Sequence, residues 1–574
     1  DSSLPSQKLY DNKQICKMLD DLQMEFSQEQ QHLKDEEDKK AVVLDAVRSK
    51  CTTSSEYAIM REMAQTMEKS EGNLDGELVS GGKTNYSFKI FVDTNRSKAV
   101  YAKIFLPHAL WDEDRHFQFD TLRAVSEYDI MSKLSSSSDE AVCKVATPLF
   151  VLDVSGNAKV LVAEWAEGTE EQWGNQFLDG HVDSRVVTKV AQAMAQLNLQ
   201  EIDYDWNEAV RPGLQSINPI IKSVYVKLTS TSDFECDRVM KELKEVGQDQ
   251  FDQIVDSYCS QLQEQRQVLC HNDCHPFNIL VEPKPMGEGT EGDGEEDELD
   301  LTSGTAESGT TSELFGPNGD YLICDWETAI CGPAGKDAGI FMAFPSACTL
   351  CLAVQGYTAE SFHLLDCALD FWTTYSKAIS TSDRKTEAHN LPNLCRVALG
   401  TLGANLLFNL YMLGVLADTL PLNGVSEPDA KRVRSSIGLV GLKLLLLAFG
   451  KDDNPIQIEV EGEEAAPTTD TVEGLIAYYK SAISQHIEIL SESTTNMGNK
   501  LRRAKSSFLR SIRRRVSDSS GFEEATSRIS THNLDWSDHK RVAAFDSSDL
   551  GASVDLGASM ASFIDDNFLD DDDF

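Results

Sequence analysis

The chain has 574 residues, room for two to four domains at about 150 residues each, and its 41% apolar content supports a real core. Its formal net charge of −42 excludes a sequence-independent nucleic-acid binder, whose affinity rests on cationic neutralisation of phosphates. The thirteen cysteines are scattered, with no paired Cys-x-x-Cys spacing of a zinc site, which fits free thiols in a reducing, cytoplasmic setting better than a disulfide framework. The first residue is Asp1 rather than methionine, so a processed or trimmed start is expected, and no signal-peptide pattern is visible.

Residues 1–70 read as a helical extension. Met18, Leu19, Leu22, Phe26 and Leu33, then Val42, Val43, Leu44 and Val47, recur around the charged run Lys34 to Lys40, which reads as a solvated helix face. From Leu74 the texture changes to short strands. Glu77-Leu78-Val79 and Tyr86 to Val92 flank the turn Ser80-Gly81-Gly82-Lys83-Thr84-Asn85, and a third strand, Ala99 to Phe105, carries Lys103 among apolar neighbours. A lysine in such a strand is either snorkelling from a half-exposed face or holding phosphate. The second role needs a carboxylate partner, and the helix Arg123 to Leu134 offers Glu127. Glycines at Gly81 and Gly82 permit the close backbone approach that a phosphate cover requires.

Two further strands, Pro148 to Val154 and Lys159 to Glu164, complete a small lobe over 71–166, and Trp165-Ala166-Glu167-Gly168 reads as a hinge. A mainly helical second lobe is expected over 167–490, opening with an amphipathic helix at Val186 to Leu199 and continuing with one at Phe251 to Leu262. Residues 282–320, rich in Gly, Glu, Asp, Ser and Thr, hold too few apolar side chains to fold alone and read as a disordered acidic insert. The uncharged run Ala338 to Tyr357 is about the length of a membrane span. Its Pro345, Ser346, Thr349 and Gln355 favour a buried core helix, and no transmembrane span is expected.

The chemistry is concentrated in His271-Asn272-Asp273-Cys274-His275-Pro276-Phe277-Asn278, set between the apolar edges Val268 to Cys270 and Ile279 to Val281. A tight loop joining two such strands brings Asp273 and Asn278 together. Asp-x-x-x-x-Asn is the spacing of a kinase catalytic loop, where the aspartate accepts the proton of the attacking hydroxyl and the asparagine holds magnesium. Beyond the insert, Tyr321 to Cys324 resumes as a strand ending in Asp325-Trp326-Glu327. In an extended strand these two carboxylates point the same way, and paired hard oxygens suit magnesium held against phosphate.

Together these residues resemble the aminoglycoside phosphotransferase/choline kinase superfamily over roughly residues 74–450. His271-x-Asp273-x-x-x-x-Asn278 resembles its catalytic loop, and Asp325-x-Glu327 its counterpart of the kinase Asp-Phe-Gly. Asp325-x-Glu327-x-Ala329-x-x-Gly332-Pro333-x-Gly335-x-Asp337-x-Gly339 is similar to methylthioribose kinases. Gly81-Gly82-x-Thr84-Asn85 and Cys270 to Asp273 are similar to choline and ethanolamine kinases.

The resemblance implies an α+β fold of the two-lobed protein-kinase type, with a small β-rich N-lobe and a large helical C-lobe. The implied activity moves the γ-phosphate of ATP to a hydroxyl of a small metabolite, best matched by a methylthioribose-like sugar. The alternatives are choline or ethanolamine, or a nucleotide-binding regulator without turnover. On this resemblance Asp273 is the base, and Asn278, Asp325 and Glu327 hold magnesium. Lys103 with Glu127 positions the α and β phosphates under Gly81, Gly82, Thr84 and Asn85. Glu164, Trp165 and Ala166 meet adenine through backbone groups, and His271 braces the loop.

The tail, 491–574, contains a basic amphipathic segment at 499–516 with Arg513, Arg514 and Arg515 beside Phe508, Leu509 and Ile512. Such a segment suits an anionic membrane surface or a calmodulin-like partner, or folds back on the acidic body. Ser517 then reads as a phosphorylation site that weakens any anion contact.

Overall fold

A computed structural model describes residues 36–79, 85–107, 120–136, 143–169, 171–200, 222, 237–265, 267–283, 318–411, 420–422, 425–450 and 471–491. Gly81, Gly82, Thr84, most of the acidic insert, the basic segment 499–516 and Ser517 lie outside the described residues. The chain divides into two units.

The first unit is built on a five-stranded sheet. Its strands are β1 (Leu74–Leu78), β2 (Tyr86–Val92), β3 (Asn95–Phe105), β4 (Pro148–Asp153) and β5 (Lys159–Glu164). They lie in the order β1-β2-β3-β5-β4. β2 pairs antiparallel with β1 and with β3, placing Ser87 opposite Lys103. Period-two alternation gives β2 a core face of Tyr86, Phe88, Ile90 and Val92. Two helices, α1 (36–50) and α2 (Ala58–Ser70), cover that face, contributing Val43, Val47, Met60 and Met63 to the same cluster. The N-terminal helices are therefore part of the sheet's own core. The stretch expected as continuous helix breaks between the two at residues 51–57.

The second unit gathers residues 122–148 and 164–504, so the two units divide between Ala163 and Glu164. Helix α3 (Arg123–Ser136), expected in the small lobe, clusters here instead. Its packing partner is the turn at Trp326–Thr328, which claims the helix through contacts that lie far away in sequence.

The rest is mainly helical. Helix α4 (Gly174–Leu178) precedes α5 (Ser184–Asn198), whose Asp183 cap accepts the Arg185 N–H. Then come α6 (Asp237–Val246), α7 (Gln248–Glu264), α8 (Lys336–Gln355), α9 (Thr358–Thr381), α10 (Leu391–Tyr411), α11 (Glu427–Phe449) and α12 (472–491). Helix α8 is long and apolar enough to cross a membrane, yet all of its apolar window is buried inside the protein. An all-round apolar helix at the centre of a helical layer needs no lipid to explain it. Helices α10 and α11 approach backbone to backbone, since a Cβ on Gly403 would stand 2.5 Å from the Gly441 carbonyl oxygen.

Small strands complete the unit. β6 (Glu171–Gln172), β8 (Ile279–Val281) and β9 (Tyr321–Ile323) form one sheet in the order β6-β8-β9. β7 (Val268–Cys270) pairs separately with β10 (Ile330–Gly332). The two strands flanking the catalytic-type loop thus pair with other strands and not with each other. Three-residue strands carry too few side chains to specify a partner, and here each takes one from beyond the insert.

Candidate active site

The loop from His271 to Asn278 leaves β7, turns through Asn272 in the left-handed region at φ +69°, and closes in a 3-10 turn at Pro276–Asn278. The Asn278 amide, on Nδ2, donates to the Asp273 backbone oxygen at 2.9 Å and to its carboxylate Oδ2 at 3.1 Å. Asp273 and Asn278 are therefore joined, and the Asp273 side chain stays 41% exposed. The amide's own oxygen, Oδ1, is not used in either bond and is a hard donor. His275 Nε2 lies 3.6 Å from the same Asp273 oxygen.

Asp337 braces the loop from beneath. Fully buried at the start of α8, it accepts the backbone N–H of His271 at 2.9 Å and of Asn272 at 2.8 Å, one on each carboxylate oxygen. Burial raises its pKa, against the lowering effect of His271 and of the two N–H donors. Helix α8 begins at Lys336, so the last residues of the expected Gly332–Gly339 loop are its first turn. Gly335 carries the backbone into that turn at φ +93°, where a Cβ would stand 2.4 Å from the Leu394 carbonyl oxygen. The Gly335 N–H donates to the Tyr375 hydroxyl, which donates to Asn198 Oδ1, and the Asn198 amide donates to the Leu269 carbonyl of β7.

His271 links this loop to the Asp325 turn. Its Nδ1 takes the Asp273 N–H at 3.3 Å and its Nε2 lies 2.9 Å from the Cys324 carbonyl oxygen. That pattern requires a neutral ring protonated on Nε2. Burial lowers its pKa, in keeping with the neutral form. The ring packs on Trp326 at 4.5 Å between centroids. Thr328 completes the link: its carbonyl accepts the Asn272 side-chain amide, and its hydroxyl donates to the His271 carbonyl.

The Asp325-x-Glu327 geometry differs from the expected extended strand. β9 stops at Ile323, Asp325 is left-handed at φ +64°, and Trp326–Thr328 form a 3-10 turn. The turn, rather than strand alternation, brings the carboxylates together. Glu127 of α3 joins them: ligand oxygens of Glu127, Asp325 and Glu327 all lie within 4.8 Å of one another. Glu127 Oε1 also accepts the Trp326 N–H at 3.2 Å, and Arg123, one turn earlier on α3, pairs with Glu327 at 3.3 Å. Three hard carboxylates in one cluster fit the oxygen preference of magnesium.

Lys103 is buried in β3 of the first unit, its amine 4.8 Å from the Phe105 ring centroid, and Asn85 is buried at the entry to β2. Glu164 ends β5 with its N–H committed to the Thr147 carbonyl, while Trp165 and Ala166 follow in irregular backbone, where Glu167 N–H bonds the Trp165 carbonyl. Sequence reasoning gave no role to Asp337, Thr328 or Arg123. The first had a signal, an acid heading an otherwise uncharged apolar run, and the other two had none.

A loop holds an aspartate and an asparagine together and is tied through a histidine to a carboxylate turn, the arrangement that the resemblance to kinase-like phosphotransferases leads one to expect. Comparison agrees: residues 75–289 match the model of the phosphotransferase enzyme family. Over this segment the chain is similar to that family.

Among solved structures, a thermostable mutant of an aminoglycoside phosphotransferase, in ternary complex with ADP and hygromycin B, is 13% identical. The match covers 66% of this chain and 98% of that one, at a TM-score of 0.33. An aminoglycoside phosphotransferase from Alicyclobacillus acidocaldarius is also 13% identical, covering 65% and 91% at 0.33. A choline/ethanolamine kinase family protein from Mesorhizobium loti is 12% identical, covering 76% and 98% at 0.31. No curated protein matches the chain.

Proposed function

We propose that the protein is a small-molecule kinase that transfers the γ-phosphate of ATP to a hydroxyl of a small metabolite. The observation that carries this reading is the His271 bridge, which ties the half-exposed Asp273 to the turn bearing Asp325 and Glu327. Phosphoryl transfer asks for little covalent work from the protein and much positioning. A base and a set of metal ligands held on one hydrogen-bonded scaffold answer that need.

In this reading Asp273 orients the acceptor hydroxyl and takes its proton as the phosphoryl group arrives. Asn278 steers that carboxylate, since one of its amide bonds goes to Asp273 Oδ2. Asn278, Asp325, Glu327 and, by its place in the cluster, Glu127 would hold magnesium. The ion, when bound, neutralises charge on the phosphate oxygens. Lys103 is assigned to the phosphates, and the backbone at Glu164 to Ala166 to adenine.

For the acceptor, the run from Asp325 to Gly339 supports a methylthioribose-like sugar, while Asn278 and Cys270 to Asp273 support choline or ethanolamine. The test is an ATP-consumption screen against these three acceptors and related alcohols, with Asp273→Asn alongside. Turnover with one acceptor is expected, reduced about 10²- to 10⁴-fold in the variant. An undiminished variant removes Asp273 from the mechanism. Tight nucleotide binding without turnover on any acceptor favours a regulatory role.

A further inference from the structure

The pairing of Arg123 with Glu327 has no part in the mechanism above. Both side chains are buried, with exposures of 6% and 5%, and the guanidinium nitrogen Nη1 stands 3.3 Å from Glu327 Oε2. Arg123 and Glu127 are one helical turn apart on α3 and share a face. The helix thus delivers one cation and one anion together to the turn at Trp326–Thr328. Glu127 is fixed there by the Trp326 N–H.

Three carboxylates this close repel one another strongly away from water, and a cation standing beside them relieves that repulsion. Arg123 is such a cation, and a guanidinium is never deprotonated in a protein. We propose that Arg123 is a resident counter-ion of the acid cluster, which holds Glu327 and keeps free divalent ions weakly bound, so that the metal enters with the nucleotide. The inference rests on the reading of Glu127, Asp325 and Glu327 as the metal site.

The physical consequence is a division of affinity. A guanidinium bonded to one ligand carboxylate opposes a bare divalent ion through charge and competes for the Glu327 oxygen. A nucleotide brings phosphate charge that offsets this repulsion, so the ion gains most where phosphate is present. Arg123 is a positioning residue in this account, since it touches a metal ligand rather than the reacting groups.

The test uses the full chain and Mn²⁺ as a spectroscopic stand-in for magnesium, with free Mn²⁺ counted by its electron paramagnetic resonance signal. Wild type is expected to bind Mn²⁺ weakly alone and much more tightly with a non-hydrolysable ATP analogue. In Arg123→Gln, binding without nucleotide is expected to tighten by roughly ten- to a hundredfold, because the opposing charge is gone. Its melting temperature should also fall without metal and recover on adding Mg²⁺. Arg123→Lys, whose charge sits on a stem free to withdraw, should fall between the two and decides the matter if the glutamine variant does not fold.

Unchanged or weaker nucleotide-free binding in the variant that folds overturns the proposal and leaves the metal site standing. Absence of Mn²⁺ binding in wild type even with nucleotide overturns the metal site and the proposal together.

Discussion

The ring of His271 can hold its place only while neutral, because Nδ1 accepts from Asp273 N–H while Nε2 donates to the Cys324 carbonyl. Burial lowers its pKa from the ordinary 6.5. The unfolded chain therefore binds this proton below about pH 6.5 while the folded protein still refuses it, so stability rises with pH across that window. Acidification from 6.5 toward the folded value should lower the urea midpoint of wild type. His271→Gln should lose that part of the slope. Asp337 runs the other way: its raised pKa contributes stability that is full below 3.8 and lost as pH rises through the folded value. The two groups act on each other, so the comparison belongs in an Asp337→Asn background, where the slope lost in His271→Gln is that of His271.

Asp337 allows a second test at the same scale. Its two oxygens each accept one backbone N–H of the loop. Asparagine at this position keeps one acceptor and turns an amide donor toward the other N–H. One buried donor is then left unmatched, at a cost of about 1–3 kcal/mol. Asp337→Asn should lower stability by that amount in urea titration, and it should lower kcat more than it raises KM, because the loop that carries Asp273 loosens. An unchanged midpoint would mean that the loop holds its shape without this brace.

Among the elements, β2 has the bounds its alternation predicts, Tyr86–Val92, and β5 has those of its apolar run, Lys159–Glu164. The fully buried α8 was legible from its uncharged run. The elements that build the site were less so. β6 is two residues long and carries no pattern, and the allegiance of α3 depends on a contact with residues about 200 positions away. The Asp325 turn was hidden because an aspartate, not a glycine, takes the left-handed backbone there. Asp273 and Asn278 were legible because five positions of separation already bring them into one loop. Arg123 and Thr328 act only through the fold.

The acidic insert enters between β8 and β9, and its neck is pinned. Glu282 accepts the backbone N–H groups of Asn318 and Asp320 and the Asn318 side-chain amide. Lys144 pairs with Asp320 at 2.6 Å, and Lys189 donates to the Asn318 and Gly319 carbonyls. The register of β8 against β9 is thus set by residues outside 284–317. Replacing that segment by a short Gly/Ser linker should leave ATP-dependent activity intact. It should also raise stability slightly, since shortening the connection between two fixed ends by half returns about 0.6 kcal/mol of closure entropy. A stable but inactive deletion would assign the insert a part in the chemistry.

For the whole molecule, the composition argues about environment more than about fold. The eleven described cysteines are free, and ten of them are buried. Burial raises the thiol pKa of Cys51 to about 11 and of Cys259 to about 12, and drives Cys270 and Cys274 well above the ordinary value. Thiols in this state pack as small apolar groups and react slowly.

The charge has a different consequence. At −42 the folded chain concentrates like charges that the unfolded chain spreads over a larger volume, so self-repulsion works against folding. Repulsion between exposed charges is screened once the Debye length shortens, from roughly 20 Å at about 20 mM salt to roughly 7 Å at about 200 mM. Sodium chloride over that range should therefore raise the urea midpoint of the protein. Surface ion pairs such as Lys98 with Glu62 weaken in the same range, but exposed pairs of this kind contribute little, and they are outnumbered by unbalanced acids. A midpoint that falls with salt would mean that local pairing, rather than net charge, governs the electrostatic part of stability.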